Sequence, residues 1–140
     1  MDDMISRFFD RRKKPRLALG QSPGAFALPE GGISPLYLIL EVANKGGSEA
    51  GIRQVYVAPK SGHSLTPTDG LEGDRSFPFV LEAGEGARFW IRAKELASSF
   101  REAGYSGSPR ASLVVEDASG NTHEKSFKFS VDKYLTLQDE

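Results

Sequence analysis

Cysteine is absent from this chain of 140 residues, so neither a disulfide framework nor thiolate chemistry is open to it. Histidine is nearly absent: there are two, His63 and His123. A zinc site or a Ser-His-Asp triad would have to be built around one of them, and neither stands at a metal-ligand spacing. Both read as exposed polar side chains. Long apolar runs are missing as well. The longest strongly apolar stretch, residues 36–40, falls far short of the roughly 20 residues that cross a bilayer, and no apolar signal-peptide core opens the sequence. The chain therefore reads as cytoplasmic. No glycosylation sequon, lipidation motif or internal repeat modifies that reading. Charge of one sign is also lacking, and a formal net charge of −1 gives no overall pull toward nucleic acid or acidic membrane.

What is present is the composition of an ordinary soluble globular domain, 39% hydrophobic and 26% charged. At this length a self-sufficient core can form in one domain. Charge is uneven along it. Residues 7–16 hold Arg7, Arg11, Arg12, Lys13, Lys14 and Arg16 against Asp10 alone, so the rest of the chain carries the negative balance. Ile5, Phe8 and Phe9 sit beside this run at helical spacing, and the Lys14-Pro15 step discourages a helix from continuing. Residues 1–14 are expected as a flexible basic arm, 15–135 as the folded domain and 136–140 as a disordered tail.

The most informative stretch is LYLILEVANKGGSEAGIRQVYV, residues 36–57. Leu36, Leu38, Leu40 and Val42 share one face at the strand period of two, and Asn44-Lys45-Gly46-Gly47 supplies turn residues before the pattern resumes. This reads as a first hairpin. Pro15, Pro23 and Pro29 place residues 16–20 and 25–28 in an interrupted edge strand. Residues 58–74, with Pro59, Gly62, Pro67, Gly70 and Gly73, read as a long irregular loop. Phe77, Phe79 and Leu81 alternate, Ala83-Gly84-Glu85-Gly86 turns the chain, and Phe89 and Ile91 continue, a second hairpin. Residues 93–103 switch to helical period through Leu96 and Phe100, with Gly104 at the stop. Leu113 and Val115, a turn at Asp117-Ala118-Ser119-Gly120, then Phe127, Phe129 and Val131 form a closing hairpin. The fold class that follows is all-β, an immunoglobulin-like antiparallel β-sandwich of about seven strands with one inserted helix near residues 93–103. Its expected core is Leu38, Leu40, Val42, Val55, Val57, Phe79, Phe89, Ile91, Leu113, Val115, Phe127 and Phe129.

The runs LYLILEVANKGGSEAGIRQVYV, LEAGEGARFWI and ASLVVEDASGNTHEKSFKFSV together resemble the bacterial immunoglobulin-like modules of the CARDB (cell-adhesion-related) and fibronectin-like type. Their pattern is an alternating strand, Asn-x-Gly, a second strand, Leu-x-Pro-Gly-Glu and a closing hairpin. The likeness spans residues 36–131, with Ala83 where the pattern has proline and the helix as an insertion. It implies a binding module without catalytic residues.

Motifs for small-molecule chemistry are thin. Asp117, Ser119 and Asn121 alternate as in a calcium loop, but the glycine stands at 120 and the bidentate acid is missing, so turn chemistry is the expectation. Gly84-x-Gly86 lacks the third glycine of a nucleotide loop, since the position holds Phe89. No catalytic, metal or cofactor residues are therefore assigned. Trp90 is the informative single residue. If Phe89 and Ile91 face inward, Trp90 faces out, and a strand partnered with residues 36–42 would set it beside Tyr37 and Ile39. Such a face is expected to be a protein-partner or self-association surface, or else to be covered by the arm or the helix. The second expectation, less favoured, is that Arg11, Arg12, Lys13 and Lys14 contact an anionic membrane or nucleic acid.

Overall fold

The computed structural model describes residues 15–60 and 70–137, and the basic run Arg11 to Lys14, His63 and most of the glycine-rich loop lie outside these residues. Two four-stranded antiparallel sheets face each other. The first has the order β1 (Leu17–Gly24), β2 (Tyr37–Asn44), β6 (Gly86–Arg92), β4 (Glu72–Gly73). The second has the order β5 (Phe79–Leu81), β3 (Ala50–Pro59), β7 (Arg110–Asp117), β8 (Thr122–Lys128). Helix α1 (Ala93–Glu102) links β6 to β7, and a short α2 (Val131–Leu135) follows β8. The molecule is an all-β sandwich with eight strands among the described residues. The seven expected from sequence omit the two-residue β4.

Alternation builds the core as the sequence pattern requires. Leu38, Leu40, Val42, Phe89 and Ile91 from one sheet meet Val55, Val57, Leu113, Val115 and Phe127 from the other, with Phe129 beside them, all buried. Phe79 departs from expectation. It is half-buried at the edge of its sheet, and Leu81 is the fully enclosed residue of β5. Leu96, Ala97 and Phe100 of α1 close one end of the sandwich, where Phe100 packs 5.0 Å from Phe129. The helix stops at Glu102, and Gly104 takes the positive φ of 97° that the C-terminal turn needs.

Two of the three expected hairpins are not hairpins. The turn after β2 carries the chain from the first sheet to the second, since β2 pairs with β1 and β6 while β3 pairs with β5 and β7. The turn after β5 crosses back in the same way. Alternation shows a strand and a turn but not which strand lies alongside, and here each turn spans the gap of about 10 Å between sheets. The closing pair β7–β8 is a true hairpin, although Phe129 and Val131 lie beyond its last strand residue. The edge strand β1 is continuous from Leu17 to Gly24, with Pro23 on it opposite Leu38, a placement that an edge tolerates. At the other terminus Thr136 and Leu137 still bond to α2, and Leu137 O accepts from Lys94 Nζ at 2.8 Å.

Candidate binding surface

On the outer side of the first sheet, register puts Ile39 directly opposite Trp90 and Tyr37 opposite Arg92. The three expected residues share one face, and all three are half-buried. Of the two covers expected, the arm lies outside the described residues, and among the described residues the rings that meet Tyr37 and Trp90 come from the β1–β2 connection rather than from the helix. The β1–β2 connection folds into a small loop of its own: Phe26 N–H donates to Ser34 Oγ, Ser34 N–H to Phe26 O, and Leu28 N–H to Gly32 O. The loop lays Phe26 edge-on against Tyr37 at 5.4 Å and against Trp90 at 5.7 Å. Such edge-to-face contacts suit the ring quadrupoles. Gly24 permits the approach, because a Cβ there would lie 2.6 Å from Ile39 Cδ1. From below, Trp90 Nε1–H donates to Glu72 Oε2 at 3.3 Å, so β4, inside the stretch expected to be irregular, also holds the indole.

The same loop leaves apolar side chains in solvent. Ile33 is 74% exposed and Leu28 39%, with Phe26 at 37%. Sequence reasoning missed these residues, although Ala27-Leu28 and Ile33 flanking Pro29-Glu30-Gly31-Gly32 carried a turn signal. Beside this face, Glu41, Asp74 and Arg88 border a shallow depression of about 280 Å³. Its charges answer one another: Arg88 Nε lies 3.4 Å from Glu41, and Arg88 N–H donates to Asp74.

His123 is not the exposed residue that sequence suggested. Its side chain is 10% exposed, and Nε2 lies 2.8 Å from Oδ2 of the buried Asp117. Asp117 Oδ1 also accepts from Ser119 N–H at 2.9 Å and Asn121 N–H at 3.0 Å. Burial opposes ionisation of Asp117, but the hydrogen bonds from His123, Asn121 and Ser119 prevail and hold its carboxyl below the usual range. The pair ties up the β7–β8 turn, as turn chemistry implied. Among the described residues no cluster of three metal-ligating side chains converges, and no helix is long and apolar enough to cross a membrane. No family model matches this chain, and no curated protein matches it significantly.

Proposed function

We propose that this protein is a non-enzymatic binding or assembly module of the immunoglobulin-like class, acting in the cytoplasm, and that it engages a protein partner through the Tyr37/Ile39/Trp90 face extended by the β1–β2 loop. Strands β1-β2-β6 facing β3-β7-β8 follow the A-B-E and C-F-G order of immunoglobulin sandwiches, which supports the class and the likeness to CARDB and fibronectin-like modules. The observation that carries the function is the loop: Phe26, Leu28 and Ile33 stand in solvent next to a half-buried tryptophan and tyrosine. Apolar side chains gathered around aromatics concentrate binding energy at interfaces.

The test is the double variant Leu28→Ser/Ile33→Ser in the full chain. Sedimentation and affinity capture should show that association is lost while the melting temperature is kept. Retained association at unchanged fold would end this reading. The alternative, a peripheral accessory binding anionic membrane or nucleic acid through Arg11 to Lys14, predicts association that falls steeply with salt, whereas contacts through this apolar loop do not.

A further inference from the structure

The sheet β5-β3-β7-β8 also presents an outer face. Alternation with the inward Val55, Val57, Leu113 and Val115 turns Tyr56, Ala58, Ser112 and Val114 outward. Three of them are nevertheless buried, with Ser112 2%, Val114 6% and Ala58 8% exposed, while Tyr56 is half-buried. Ser112 Oγ is buried without a hydrogen-bond partner, and a buried hydroxyl of that kind ordinarily has one. Two carboxylates, Glu116 and Glu124, stand outward at the end nearer the β7–β8 turn, with Arg110 and Lys128 at the other end. Burial first, and then the neighbouring Glu116 and Glu124 carboxylates, raise the pKa of the Tyr56 phenol. The face is thus apolar at its middle and acidic at one end.

The described chain begins close to that acidic end. Arg16 O accepts from Lys45 N–H beside the β2–β3 turn, and β1 packs across the sandwich against β8. Immediately before it come Lys14, Lys13, Arg12 and Arg11, then Phe9, Phe8 and Ile5. Rounding the β8 edge means crossing about 10 Å between sheets and one or two strand spacings of about 4.8 Å. The stretch from Pro15 back to Phe9 reaches about 20 Å when extended, so its basic residues pass Glu124 and Glu116 before its aromatics arrive over Val114. We propose that this outer face is the docking site of the chain's own residues 1–14, within one molecule, with Phe8 and Phe9 over Tyr56 and Val114 and Arg11 to Lys14 beside Glu116 and Glu124. Docked in this way, the basic run is withdrawn from any anionic surface and becomes available only when that surface competes with the two carboxylates.

The absence of cysteine makes the test direct. Ser6→Cys in the full chain takes a single nitroxide label, and methyl resonances are compared before and after the label is reduced. Docking should broaden Val114 and Ala58 several-fold more than Ile39. Raising salt, or the double change Glu116→Gln/Glu124→Gln, should diminish the effect. No broadening at Val114 and Ala58 overturns the proposal. So does broadening centred on Ile39 and Trp90, which would place the segment on the opposite sheet. Broadening of isotope-labelled, nitroxide-free chain by labelled chain would show a contact between copies and would equally overturn it.

Discussion

Asn44 does more for the fold than its place in a turn suggested. Its side chain is buried, Nδ2–H donates to Ser48 O at 2.9 Å and to Leu81 O at 3.0 Å, and Oδ1 accepts from Gly46 N–H. Its backbone bonds to Gly84 and Glu85, so one residue joins the two crossover turns. Asn44→Ala strands several of these groups and should cost about 1–3 kcal/mol, read from urea unfolding. Phe89 is buried against Phe77, stacked at 5.0 Å, and Phe79 at 5.8 Å. Phe89→Ala should cost about 3–5 kcal/mol in the same assay. Asp117 has a lowered pKa, so its stabilising contribution is complete above the ordinary carboxylate range, about pH 4, and is lost as pH falls toward the depressed value. Asp117→Asn should therefore be less stable at neutral pH and lose that part of the acid dependence, a result that urea titrations from acid to neutral pH would show.

Among the elements, the β1–β2 loop has a built-in reporter. Trp90 is the single tryptophan, and Phe26 covers its outer side. Phe26→Ser should shift the fluorescence emission of Trp90 to the red while lowering stability by no more than about 1–2 kcal/mol, because the replaced ring is itself partly exposed. An unshifted spectrum would mean that the ring does not shield the indole. Edge strand β8 shows a different device. Lys125 sits between His123 and Phe127 on the inward side of its strand and remains exposed. An inward-pointing charge on an edge discourages pairing with another sheet.

Across the whole molecule, one end is closed by polar bonds and the other by a helix. Asn44 and Asp117 serve the first, and Leu96, Ala97 and Phe100 the second. Between them, β2, β6, β3 and β7 each have a partner on both sides, whereas β4 and β5 are two and three residues long at the margins. Native-state amide exchange should be slowest in the four central strands and fastest in β4, β5 and the β1–β2 loop. Uniform protection would contradict this two-layer picture.

The sequence by itself determined the course of β2, β3, β6 and β7, where α1 runs and most of the side chains that enter the core, because period two, period 3.6 and turn residues are local properties written into neighbouring positions. Leu38, Leu40, Val42, Phe89 and Ile91 were legible for that reason, and so was the shared face of Tyr37, Ile39 and Trp90, given the pairing of their strands. Only the tertiary structure decided that the turns after β2 and β5 change sheets, that His123 turns inward to Asp117, and that Phe26 lies over Trp90. Each of these joins residues whose meeting depends on how strands are ordered across two layers, and strand order is set by the summed burial of both faces rather than by any window of neighbouring residues.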